Sequence, residues 1–167
     1  MSKSDSFFIR SAITVNGGSF DQTSIDLGAY VDALGKSVLR IHNVAVQTYP
    51  SLGVDWNIPA ATQANVSYQL TTQSQAQLVG ATNKSVIATG SLHITNTSAA
   101  PGWSNIEEAP DILPQVWTNG YLVGVEQIYL ASNVDAQLVK ATVEIVMECT
   151  VETLSQSAAM ALALSQQ

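Results

Sequence analysis

Residues 141–154 read ATVEIVMECTVETL. Ala141, Val143, Ile145, Met147, Cys149 and Val151 take every second position. Thr142, Glu144, Glu148, Thr150 and Glu152 take the alternate ones, with Val146 as the exception. Successive side chains point to opposite faces in a β-strand, so a period of two with one apolar face means a strand lying on a core. A strand cannot bury that face alone, so the rest of the chain must supply a second layer.

The same rhythm recurs along the chain. Phe7, Ile9, Ile13 and Val15 share a phase and are followed by the turn Asn16-Gly17-Gly18. Residues 36–49, KSVLRIHNVAVQTY, form a long run whose apolar phase switches between Ile41 and Val44. One extra residue swaps the faces, so a β-bulge is expected near His42-Asn43. Pro50 ends that run, because proline cannot donate to a ladder. Val66, Tyr68 and Leu70 alternate with polar residues, as do Val86, Ala88, Leu92 and Ile94. Residues 96–120, with Pro101, Pro110, Pro114 and Asn119-Gly120, read as irregular chain, and 121–131 as one strand apolar on both sides. Asn133-Val134-Asp135 reads as the turn into the last strand.

Helix is confined to the margins. Residues 25–35 suit one or two short turns closed by Gly35. The stretch 155–164, SQSAAMALAL, is rich in good helix formers but short and uncharged, so it needs a surface to lie against. The expected fold is therefore all-β: a single domain over residues 1–167 with a helical tail at 155–167. About eight antiparallel strands fit the length, and the jelly-roll β-sandwich is one architecture for such a count.

Charge narrows the function classes. Charged residues make up 11% of the chain, the net charge is −7 and the six basic residues are scattered. Phosphate binding needs clustered Lys and Arg, so direct nucleic acid binding is not expected. A freely diffusing protein ordinarily carries ~25% charged residues, so one reading is that neighbours in an assembly cover much of this surface. Ser/Thr/Asn-rich extracellular β-domains are the other. Cys149 is the only cysteine, which excludes an intrachain disulfide; its apolar phase suits a buried small hydrophobe. The first residues, MSKSDSFFIRS, lack the apolar stretch of a secretory signal peptide, and no run is long enough to span a bilayer as a helix.

Chemistry-bearing residues are few. Glu144, Glu148 and Glu152 stand four apart, which on a strand is ~13 Å. That is too far for one metal ion or a shared proton, so the row reads as a solvated or interface face. His42 and His93 are the only histidines, and a zinc site would need both, plus a carboxylate, brought together by the fold. Glu107, Glu108 and Asp111 form a local acidic cluster that reads as a loop and offers a weak calcium candidate. There is no nucleophile elbow, phosphate loop or dinucleotide fingerprint, so no catalytic residue, cofactor or resident metal is expected. Trp56, Trp103 and Trp117 fall in loop-like stretches, where tryptophans either close the ends of a sandwich or anchor partners. Together with Met160, Leu162 and Leu164 of the tail they are the interface candidates.

The penultimate and last runs, GYLVGVEQIYLASN and VKATVEIVMECTVETL, are joined by the short turn VDAQL. In a chain with few charges and no disulfide, this resembles the small single-jelly-roll major capsid proteins of icosahedral, membrane-containing, tailless double-stranded DNA viruses of archaea and bacteria. The resemblance implies a structural coat subunit, made in the host cytoplasm and located in the virion. Its partners would be copies of itself, a second coat protein and an internal viral membrane. The alternative is a lectin-like or adhesin-like sandwich, with a tryptophan stacking on sugar and the acidic cluster holding calcium. An enzyme ranks behind both.

Overall fold

The structure, a computed structural model, describes residues 3–32, 36–109 and 115–167, with the side chains of 108, 109, 115 and 116 excepted. In chain order the elements are β1 (Phe7–Asn16), β2 (Ser19–Asp26), β3 (Ser37–Tyr49), β4 (Thr62–Thr71), β5 (Val86–Asn96), β6 (Asn105–Ala109), β7 (Gln115–Val123), β8 (Gln127–Val134), β9 (Lys140–Thr153) and α1 (Gln156–Ser165). They form a four-stranded sheet in the order β1-β9-β3-β7 and a five-stranded sheet in the order β2-β8-β4-β5-β6. The pairs β1/β9, β2/β8, β3/β7 and β4/β5 are all antiparallel. The chain is thus one long antiparallel ribbon wound so that successive pairs fall in alternate sheets. That is the jelly roll, with β6 added at one edge.

The opening stretch occupies the middle of the four-stranded sheet, as β9 between β1 and β3. Ala141, Val143, Ile145, Met147 and Cys149 are fully buried there. They face Val66, Leu70, Ile94, Ile128 and Leu130 of the other sheet in a single core. The bulge falls where the phase switch places it: β3 shifts register against both β7 and β9 between Ile41 and Asn43. As a result Leu39, Ile41 and Val44 all reach the core despite their odd spacing. Tyr68 is accommodated by a missing side chain opposite. A Cβ on Gly90, its cross-strand partner, would sit 2.4 Å from the Tyr68 hydroxyl oxygen.

Several elements differ from the sequence expectation. Ser19–Asp26 is a strand; it lies at a sheet edge with only Ile25 buried, so its polar composition shows no alternation. The stretch read as irregular contains β6 and most of β7. Residues 121–131 are not one strand: the chain leaves one sheet after Val123 and enters the other at Gln127. The final turn comes later than Asn133-Val134-Asp135, because β8 continues through Val134. Ile25 and Asp26 belong to β2, and a single turn follows at 28–30. Gly35 lies outside the described residues.

α1 begins at Ser155, whose side chain accepts from the Ala158 N–H. It buries Ala159 and Ala163, one turn apart, against the point where the chain crosses between sheets. The approach is close enough that a Cβ on Gly124 would lie 3.0 Å from Leu162 Cγ and 3.1 Å from the Ala163 nitrogen. Gln166 completes the seal. Its side-chain amide donates to the Leu122 carbonyl at 2.7 Å and its oxygen accepts from the Gly124 N–H at 2.8 Å. Its own carbonyl accepts from Thr72 at 2.8 Å. No described helix is long and apolar enough to cross a membrane.

Candidate functional site

The glutamate row lies on the outer side of the four-stranded sheet, and each carboxylate is engaged by β3. Tyr49 donates its hydroxyl to Glu144 at 2.6 Å, and Asn43 donates its amide to Glu148 at 2.8 Å. Arg40 grips Glu152 with two donors, Nε at 2.6 Å and Nη2 at 2.7 Å. Arg40 pairs with Thr150 across the ladder, so Glu152 is its diagonal neighbour on the same face. Lys3 adds a more distant contact to Glu152 at 3.8 Å. The row is a set of separate cross-strand staples.

A cleft of about 520 Å³ opens beside Glu152, lined by Lys3, Arg40, His42, Thr118, Asn119 and Glu152. Two irregularities facing each other create it. β3 bulges at His42, and β7 leaves the ladder between Tyr121 and Val116 while β3 advances only from Ile41 to Asn43. Gly120 turns that arch with φ 70°. The third donor of Arg40, Nη1, reaches the Asn119 carbonyl on the arch. His42 Nε2 lies 3.0 Å from the Thr150 hydroxyl.

The electrostatics of the cleft are those of a closed pair. The Arg40 hydrogen bonds hold the Glu152 carboxyl below the ordinary carboxylate range, against the opposing effect of burial. Glu152 in turn raises the Arg40 guanidinium above its usual value. Each fixes the charge of the other, so neither is set to exchange a proton near neutrality. On the opposite face of β9, burial first and then Glu148 push the Cys149 thiol up to about 12, which makes it inert.

The remaining sequence candidates are dispersed. His42 lines the cleft on the four-stranded sheet, whereas His93 is exposed on the five-stranded one beside Ser91, 3.2 Å away. The two histidines therefore do not meet at a common metal. Glu107 stands on β6 opposite His93, in a strand and not in the loop that calcium ligation would need. Asp111 lies outside the described residues, and the Glu108 side chain is not described. Among the described residues no group of three or more His, Cys, Asp and Glu converges as a metal site.

The tryptophans separate by environment. Trp56 is 7% exposed and belongs to the core, so it closes an end of the sandwich. Trp117 packs on the core and tilts against Tyr121 at 5.6 Å between ring centroids. Trp103 is 48% exposed. In α1, Met160 and Leu164 face outward, whereas Leu162 packs on Gly124. Sequence reasoning missed Leu52, Val54 and Val139, which are exposed at 73%, 58% and 88%. Two of them sit in SLGV, a turn signal that could have marked them as displayed.

Neither a protein-family model nor a curated protein sequence matches the chain. Among solved structures it is similar to a chain of Desmodium yellow mottle tymovirus, at 11% identity over 90% of each chain with a TM-score of 0.31. It is also similar to a chain of turnip yellow mosaic virus, at 12% identity over 90% of this chain and 82% of that one, with a TM-score of 0.28.

Proposed function

We propose that this chain is a structural coat protein that self-assembles into capsomers of an icosahedral viral shell, with no catalytic role. One observation carries the reading. The exposed large apolar side chains among the described residues occupy three separate parts of the surface. Phe8 stands on the outer side of the four-stranded sheet. Leu52, Val54, Trp103 and Val139 lie on loops at one end, and Met160 and Leu164 on α1 at the other. A binding module concentrates such groups at one concave site. A shell subunit needs several contact surfaces at once, each of ordinary interface size.

The lectin-like alternative loses support from the same residues. Trp56 and Trp117 are taken up by packing, which leaves Trp103 as the one described tryptophan available to a sugar. The finer parts of the reading, a second coat protein and an internal membrane in a tailless DNA virus, would bear on α1. It carries no charge and turns Met160 and Leu164 outward.

Sedimentation and electron microscopy of the purified full chain test the reading. Capsomers or closed particles are expected. A protein that stays monomeric at every concentration and binds glycans in a calcium-dependent way would overturn it. Removing residues 155–167 asks about the tail: particles that still form but no longer carry lipid would place α1 at a membrane, and lipid retained without it would exclude that role.

A further inference from the structure

The loop end of the sandwich carries a knob beside a hole. Residues 51–54 form a tight turn, closed by the Val54 N–H donating to the Ser51 carbonyl at 3.0 Å. Gly53, with φ 72°, lets that turn project Leu52 outward. Next to it lies a groove of about 220 Å³, with Trp56 and Leu138 as its buried floor and Val54 and Val139 on its rim. An 88% exposed valine in a loose loop would mean little. Here the Val139 carbonyl accepts from the Gly17 N–H at 2.9 Å, and Leu138 donates back to Asp135 at 3.1 Å. The display is held by backbone bonds, so little freedom remains to be lost on association.

The rim identifies the occupant. Asp55 and Lys140 both border the groove, and among the described residues neither belongs to an ion pair. A partner surface of a single sign would satisfy one of them and desolvate the other unpaired, which is costly. A surface that presents the same groove in reverse satisfies both. In a two-fold contact the same patch meets itself, so each copy's cation is carried to the other's anion.

We propose that the loop end is the surface through which two copies of this chain bind about a two-fold axis, Leu52 of each entering the groove of the other and Lys140 of each facing Asp55 of the other. This rests on the shell-subunit reading and names one of its contacts.

The test uses sedimentation and electron microscopy of the full chain as wild type, Leu52→Glu, Lys140→Glu, Asp55→Lys and an equimolar mixture of the last two. All three positions are exposed, and unfolding midpoints equal to wild type establish that the variants fold. Self-association is expected in the wild type, weakened at least about tenfold by each single change. The mixture should recover it. The carboxylate introduced at position 140 of one variant then meets the ammonium introduced at position 55 of the other, and the remaining native Lys140 and Asp55 still face each other. Variants that associate and form particles like wild type would overturn this contact and leave the shell reading standing. Loss in the single reversals without recovery in the mixture would overturn the reciprocal geometry. A wild type that is monomeric throughout would overturn both.

Discussion

Replacing Arg40 with methionine isolates the one strong charge pair among the described residues. The change keeps much of the apolar stem and removes the guanidinium. Glu152, whose side chain is 8% exposed, is then left with Lys3 at 3.8 Å as its nearest cation. Removing one partner of a buried pair costs about 3–5 kcal/mol. Lys3 remains and the cleft admits water, so about 2–3 kcal/mol is the better figure here. For a chain of this size each kcal/mol moves Tm by roughly 2–4 °C, which makes the expected drop about 4–12 °C at pH 7.

The pH dependence fixes the cause. In the wild type the Glu152 carboxyl is depressed, chiefly by the Arg40 hydrogen bonds. A depressed carboxyl stabilises the fold above its unfolded value, about 4.3 for glutamate, and that contribution is lost as pH falls through the lower folded value. In the variant burial dominates, so the carboxyl is raised and the chain loses stability as pH rises through it. The deficit should therefore be largest near neutrality and shrink to within about 0.5 kcal/mol as pH falls well below 4. Urea unfolding of dilute, unassembled protein at a series of pH values measures it. A deficit that stays flat down to pH 3 would refute the electrostatic reasoning and assign the loss to packing of the arginine stem.

Two further outcomes follow from the same geometry. Gln166→Ala orphans the Gly124 N–H and the Leu122 carbonyl, each worth about 1–3 kcal/mol when buried without a partner. α1 should loosen before the sheets do, so proteolysis after about residue 155 should accelerate at least tenfold with strand circular dichroism unchanged; equal cleavage rates would refute the seal. Cys149, fully buried with its thiol pushed up to about 12, should resist iodoacetamide at pH 8 in the native protein and react once urea unfolds it. Modification of the folded chain at the unfolded rate would contradict its burial.

Elements with both a clear period and a core to face were legible in the sequence. β9 reads directly, because its inner side chains all reach the core. The β3 bulge reads from a phase switch alone, since burial demands that Leu39, Ile41 and Val44 share a face. β2 leaves no such trace: an edge strand with one buried residue has no alternation to show. The break at Gly124 is hidden for the opposite reason. Val123, Val125 and Ile128 are all buried, so the hydrophobicity runs on while the backbone changes sheets. Of the Arg40–Glu152 pair only Glu152 stood out, as part of the glutamate row, because the register that brings Arg40 to it comes from the pairing of β3 with β9. The loop-end groove left no pattern, because it joins residues 50–57 to residues 138–140 across the fold.

The scarcity of charge has a cause within the fold itself. Part of the uncharged polar complement staples loops. The Gln69 amide bridges both backbone groups of Val79, at 2.6 and 3.1 Å. Asn96 donates to the carbonyls of Ile58, Pro59 and Ala100, and its oxygen accepts from Ser98. Asn83 receives the Ser85 N–H and hydroxyl, and Gln166 does the same kind of work under α1. An amide carries a donor and an acceptor on one head and can satisfy a carbonyl and an N–H together, with no charge to desolvate. A jelly roll has many crossing loops whose buried backbone groups need such partners. Amides therefore hold these loops without charge, whether or not the protein assembles. The weight for assembly falls instead on the exposed apolar groups, and most of all on Leu52 and Val139, whose loops are held by backbone bonds and which are more exposed than any other large apolar side chain among the described residues.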